Sequence, residues 1–262
     1  MKRMTTKLPA RPARRAAPII PARKMPAVVP PIGGVPTAKQ PFVDVVEVFD
    51  EIEQGSEEWH QLRLGVPTAS NFAKIMSQPL NDSEDVSKTR ARLMRQMAGE
   101  RLTGIPAETF SNAAMQRGKD MEADLREAFE FSEVTTVQRV AFVRRTIRRD
   151  PLPPLVIGCS PDSLIEEDGV LEIKSMIPDL MIEMAESGKP FPTRHMAQCQ
   201  GALWVTGRRY GLLTIGYRGM PYQLKYPFER NDGYIAELRQ AVEVFDYELR
   251  QMVERQRQRG RK

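Results

Sequence analysis

The succession of helical and strand-like periods predicts an α/β or α+β domain with a mixed central β-sheet flanked by helices. Helical spacing dominates up to about residue 133, a period near two follows, and a helix, further strands and a last long helix close the chain. At 262 residues and 41% hydrophobic content the chain suffices for one large domain or two small ones with a buried core.

The elements are predicted in order from their caps and stripes. SEEWHQLRLG (56–65) starts on a Ser cap with Glu57 and Glu58 in the first turn, reads as a helix through Leu64 and stops at Gly65. PTASNFAKIMS restarts as a helix with Thr68 or Ser70 as cap. Residues 87–103 bring Leu93, Met97 and Leu102 near helical spacing with Val86, between a Ser87 cap and Gly104 just past the end. A long helix is predicted over 111–131, with Met115, Met121, Leu125 and Phe129 along one stripe. VTTVQRVAFVRR reads as a strand, and IGCS, DSLIEE and VLEIKS as short strands. Helices are predicted at 179–187 and 193–206, strands in YGLLTIGY and YQLKYPF, and a final helix from about 232 to 256 that ends in a basic, frayed tail.

Composition excludes several classes. Only Cys159 and Cys199 occur, without a CxxC pair, so a finger-type zinc site and a four-cysteine cluster are ruled out and two reduced, buried thiols are expected. The apolar stretches, such as LLTIGY, fall far short of the ~20 residues that cross a bilayer. The N-terminus shows no apolar stretch followed by a small-residue cleavage site, and its prolines interrupt the helix a mitochondrial presequence needs, so a cytoplasmic protein is expected. Residues 1–40 carry nine Lys/Arg, eight prolines and no acid, and residues 250–262 carry six Lys/Arg and one acid. The 24 basic and 33 acidic side chains between them leave an acidic body between basic tails. A disordered arm over 1–42, a domain over 43–250 and a basic tail over 251–262 are expected.

The stretch GCSPDSLIEEDGVLEIK (158–174) sets Asp162, Glu172 and Lys174 around one turn. Alternation puts Glu172 and Lys174 on one face and Leu171 and Ile173 on the other. Asp162 shares the polar face only if the hairpin loop has an odd number of residues. A loop of Glu167, Asp168 and Gly169 is predicted, with Gly169 left-handed, Asp162 opposite Lys174 and Glu172 diagonal to it. Two carboxylates and an ammonium suit metal-dependent phosphodiester hydrolysis: the acids supply hard oxygens for Mg²⁺ or Mn²⁺, and Lys174 orients a water or balances charge. Taken alone, the three residues fit a solvated hairpin equally well.

QGSEEWHQLRLGVPTAS (54–70), AAMQRGKDMEADLREAFE (113–130), GCSPDSLIEEDGVLEIK and HMAQCQGALWVTGRRYGLLTIGY (195–217) together closely resemble, in order, the lambda-exonuclease family, also called the YqaJ-like viral recombinase domain. The resemblance covers roughly residues 48 to 250 and implies the restriction-endonuclease-like PD-(D/E)xK fold, with Pro161-Asp162 and Glu172-Ile173-Lys174 as the motif. It implies a processive 5′→3′ exonuclease on double-stranded DNA ends, active with Mg²⁺, usually a homotrimer beside a phage single-strand annealing protein, encoded by a phage or prophage. Asp162, Glu172 and the carbonyl of Ile173 would be metal ligands and Lys174 the water-positioning group, while Glu122 would complete the metal site or assist the water. Arg63, Ser70, Ser160 and Gln198 match positions that hold the DNA 5′ phosphate. A planar guanidinium suits a terminal phosphate, and Ser70 near a helix start adds a hydroxyl beside free N–H groups.

Trp59 and Trp204 read as core anchors, and His60 and His195 are not needed as ligands; His195 stands where the family often has an aromatic hydroxyl. A structure-specific endonuclease or resolvase shares the metal triad, and a non-catalytic DNA-binding recombination protein would keep the fold. The phosphate-binding residues favour the exonuclease over the first, and the complete ionisable set favours an enzyme over the second.

Overall fold

The computed structural model describes residues 44–79, 87–107, 113–133, 135–188 and 190–261, except the side chains of 113–115 and 119. The arm expected over residues 1–42 lies outside them.

The described chain enters as strand β1 (Asp44–Phe49), for which the sequence carries no clear signal. Val45, Val46 and Val48 are all exposed on it, so no alternation marks a buried face. Helix α1 (Glu57–Arg63) starts on Ser56, whose hydroxyl accepts from the Trp59 N–H at 3.2 Å. It ends at Gly65, left-handed at φ +63°. Helix α2 (Ala69–Ile75) has Thr68 at its cap. Helix α3 (Lys88–Thr103) runs from the Ser87 cap to Gly104 at φ +71°. In α4 (Ala113–Glu133), Met121, Leu125 and Phe129 form a buried stripe at fourfold spacing.

The strand expected from VTTVQRVAFVRR is two. Val137–Gln138 (β2) pairs in one sheet and Phe142–Arg149 (β3) in another, because the chain leaves extended pairing between them. Strand β4 (Leu152–Cys159) precedes β5 (Ser163–Ile165) and β6 (Gly169–Ser175). Helix α5 (Pro178–Glu186), a 3₁₀ turn at Thr193–His195 and helix α6 (Met196–Thr206) lead to β7 (Tyr210–Gly216) and β8 (Leu224–Glu229). Helix α7 (Asp232–Arg259) closes the fold. It continues through most of the basic segment that was expected to fray, turning 251–259 into ordered helix.

A three-stranded antiparallel sheet runs β1-β3-β4, and a five-stranded sheet runs β2-β5-β6-β7-β8. The second is mixed: β6 and β7 are parallel, which requires the crossover that α5 and α6 supply. Strand β6 is central. Its Leu171 and Ile173 pack with Ile165 on Met121, Leu125 and Phe129 of α4, while Val170 joins the larger core that includes Leu213, Phe72, Leu203 and Phe245. Each such fully buried side chain contributes about 1.5–3 kcal/mol before entropy is counted.

The β5–β6 hairpin corrects the expected register. Ser163 pairs with Leu171 and Ile165 with Gly169, so the loop is the odd-numbered Glu166, Glu167 and Asp168. The left-handed residue is Glu166 at φ +46°, not Gly169. Gly169 is needed for closeness instead, since a Cβ there would stand 2.6 Å from the Tyr210 ring. Asp162, just outside the ladder, therefore falls in register with Glu172 and not with Lys174. The odd count was right and keeps both carboxylates on one face; the register differs by two residues.

Candidate active site

The Asp162 carboxylate accepts the Ile173 backbone N–H at 2.5 Å, which pins the turn against the middle of β6. Glu172 is buried, at 2% exposure. Its Oε1 accepts from Lys174 Nζ at 2.5 Å and from the side-chain amide of Gln198 on α6. Burial, then the nearby Glu172 and Glu122 charges, push the Asp162 carboxyl well above the usual carboxylate range, against the opposing pull of Lys174 and the Ile173 N–H. Burial alone would lower the Lys174 ammonium, but Glu172 and Asp162 outweigh it and hold it above its ordinary value.

Glu122 projects from α4 and forms an ion pair with Arg126, one turn later. Arg126 is itself buried and reaches across to β5: Nε donates to Ser163 Oγ at 2.9 Å and Nη2 to the Asp162 carbonyl at 3.1 Å. The acid on the helix and the acid on the turn are thus tied through one guanidinium.

Beside this cluster, Arg63 Nη1 donates to Ser160 Oγ at 2.7 Å and Nη2 reaches Ser70 Oγ at 3.5 Å. The guanidinium lies 4.3 Å from the centre of the Trp59 ring, whose indole N–H is shared between Ser160 Oγ at 3.1 Å and the Ala141 carbonyl at 2.9 Å. Burial pulls the Arg63 pKa down to about 10, opposed by Cys159 and Glu100. Thr68 Oγ1 stands 3.1 Å from Ser70 Oγ. Local folding explains the convergence: Thr68 bridges to Gly158 at the end of β4, and the Gly158 N–H donates to the Pro67 carbonyl at 3.0 Å. The start of α2 is thereby clasped to the strand that delivers Ser160.

Of the predicted residues, Asp162, Glu172, Lys174 and Gln198 form one group, Arg63, Ser70 and Ser160 a second, and Glu122 joins the first through Arg126. Gln198, grouped with the phosphate-binding side chains by resemblance, is hydrogen-bonded to Glu172. Arg126, Trp59 and Thr68 join these residues without a sequence signal that marks them, since the Glu122–Arg126 spacing of four reads equally as a solvated helix pair. Trp204 is a buried anchor, whereas Trp59 is only partly buried and supports Arg63. His195 precedes α6, and burial, then Lys174 and Arg194, lower its pKa to about 4. Cys159 and Cys199 are free and buried.

Among the described residues, no three His, Cys, Asp or Glu side chains converge as a ready-made metal cage. The reason lies in their partners: Glu172 is turned to Lys174 and Gln198, and Glu122 to Arg126. The donor set nevertheless fits a hard divalent cation, because it is all oxygen and its mutual repulsion already burdens Asp162. Such an arrangement can concentrate positive charge and position a water beside a site for an anionic phosphate.

The model of the YqaJ-like viral recombinase domain matches residues 58–209. No curated protein matches the chain. Among solved structures, an alkaline exonuclease (LHK-Exo) from Laribacter hongkongensis is 29% identical with a TM-score of 0.64, over 78% of this chain and 98% of its own. LHK-Exo in complex with dAMP gives 30% identity and a TM-score of 0.65 over the same shares, 78% and 98%. A phage related exonuclease from Haemophilus somnus 129PT is 12% identical with a TM-score of 0.52, over 75% of this chain and 99% of its own, a likeness of fold alone.

Proposed function

Because the chain belongs to the YqaJ-like viral recombinase domain family, we propose that this nuclease of recombination is a Mg²⁺-dependent 5′→3′ exonuclease on double-stranded DNA, resecting ends for single-strand annealing. The fold is the restriction-endonuclease-like PD-(D/E)xK core, with Pro161-Asp162 and Glu172-Ile173-Lys174 as its motif strand and turn. One observation carries the finer reading. Ser160, held by Arg63 and Trp59, lies two residues from Asp162, so a phosphate-binding group and a carboxylate share one turn.

Asp162, Glu172, Glu122 and the Ile173 carbonyl would hold the cation, with Mn²⁺ as a substitute. When bound, it polarises a phosphoryl oxygen and lowers the pKa of a water. Lys174, kept charged by its carboxylate neighbours, orients that water and offsets charge on the scissile phosphate. Arg63, with Ser70 and Ser160, binds the terminal 5′ phosphate and sets the polarity of resection. The complex of LHK-Exo with dAMP, a deoxynucleoside monophosphate, supports a substrate of this class. The setting is a homotrimer in the cytoplasm of a phage-infected or prophage-bearing bacterium, acting with an annealing protein.

The test is a linear duplex labelled on either strand, incubated with Mg²⁺. Loss of the 5′-ended strand is expected, faster from a 5′-phosphorylated end, and abolished by Asp162→Ala. Equal attack on a covalently closed circle, or resection from the 3′ end, would refute the reading.

A further inference from the structure

Resting on the metal-dependent reading above, we propose that Arg126 is a positioning residue: its guanidinium sets the Glu122 carboxylate and the Asp162 main chain in the arrangement that receives a divalent cation. Arg126 is 7% exposed, and three acceptors from two elements converge on it. These are the Glu122 carboxylate one turn back on α4, the Asp162 carbonyl at 3.1 Å and the fully buried Ser163 hydroxyl at 2.9 Å. Ser163 Oγ in turn donates to the Asp162 carbonyl at 2.5 Å, which closes the network.

Surface helix pairs of this spacing lie in solvent and fix little. Here the guanidinium is withdrawn from water, and a buried ion pair adds little net stability once desolvation is counted. What the planar fork supplies is direction: Nε and Nη2 point towards β5 while Nη2 also holds Glu122, so the spacing between helix and turn is set by one rigid group. Carboxylates around a metal depend on such outer partners, whose loss weakens metal binding about 10–100-fold. Arg126 touches neither a scissile bond nor the cation; it acts through Glu122 and Asp162.

The experiment measures Mn²⁺ binding by the full chain, by electron paramagnetic resonance, for the wild type and for Glu122→Gln, Arg126→Lys and the double variant. Lysine keeps the charge but cannot span three acceptors. Arg126→Lys is expected to bind Mn²⁺ about tenfold more weakly, with kcat reduced and KM for DNA unchanged. In the double variant the Arg126→Lys loss should vanish, because the carboxylate it orients is gone. Equal Mn²⁺ affinity in the wild type and Arg126→Lys, or losses that simply add, would overturn the role of Arg126 while leaving metal dependence intact. A wild type that binds no Mn²⁺ would overturn the metal-dependent reading and this role with it. Should Arg126→Lys fail to fold, Ser163→Ala removes one anchor alone; a loss of roughly threefold is expected, and unchanged affinity would overturn the proposal.

Discussion

Arg63 is stacked on Trp59 and shares its fork between two serine hydroxyls, so its charge is only partly hydrated and is aimed. Lysine would restore the charge but not the fork. Arg63→Lys is expected to lower the preference for a 5′-phosphorylated over a 5′-hydroxyl end by about tenfold, read as the ratio of kcat/KM on the two duplexes. His195 offers a pH signature. Its folded pKa, lowered from 6.5 to about 4, favours the neutral ring, which accepts from Arg194 Nε at 3.0 Å. A depressed histidine contributes stability that is complete above pH 6.5 and lost as pH falls towards 4. His195→Gln should therefore flatten the fall of Tm across that window; an unchanged slope would contradict it. At this scale Asp162, Glu172 and Lys174 were legible because alternation and a short loop put them together. Arg126 was not, since an arginine one turn from a glutamate reads as a solvated pair until the strand that buries it is known.

The site depends on how elements abut, and Gly201 of α6 marks one such close approach. A Cβ there would lie 2.4 Å from the Phe72 ring of α2, itself fully buried. Since α2 carries Ser70 and α6 carries Gln198, Gly201→Ala should destabilise by about 1–3 kcal/mol and disturb both groups of site residues. Thermal melts should show a Tm several degrees lower, together with weaker discrimination of the 5′ phosphate. Helix boundaries were legible wherever chemistry is local: Ser56, Ser87 and Gly104 cap or end helices as their types require. The hairpin register was legible in parity but not in position, because the glycine was assigned to a left-handed turn while its role is to admit Tyr210 from a strand some forty residues away. Arg208 adds to the hold on that loop, donating from Nη1 to the carbonyls of Glu166 at 2.8 Å and Gly169 at 3.0 Å. Strand β1 left no periodic trace because its valines lie exposed on both faces, and β2 and β3 look continuous because no turn residue separates them.

Across the whole molecule the charge distribution opposes the task, since an acidic body must hold a polyanion. No helix among the described residues is long and apolar enough to cross a membrane, and the surplus of Lys/Arg lies near the two ends of the chain. Deleting residues 1–40 removes nine cationic side chains. If the arm touches DNA, affinity at low salt should drop and the slope of log K against log salt should become shallower, by about 0.9 for each lost phosphate contact. Identical slopes would confine DNA contacts to the folded body. Light scattering should return three times the 29.8 kDa of one chain if the assembly is a trimer.

Strand β6 pairs along its whole length with β7 and over Gly169–Leu171 with β5, and Asp162 takes the Ile173 N–H on the β5 side, whereas every residue of α1 keeps some solvent exposure. Amide exchange should follow that contrast. The N–H groups of Leu171 to Lys174 should open only when the whole fold opens, and those around Arg63 through cheap local excursions. If Glu172 and Lys174 cut and Arg63 grips the phosphate, as proposed, the cutting groups ride on the slowest part of the molecule and the phosphate grip on one of its fastest. A protein that must let go of each freshly exposed end, without loosening the groups that cut, gains from keeping those two clocks apart.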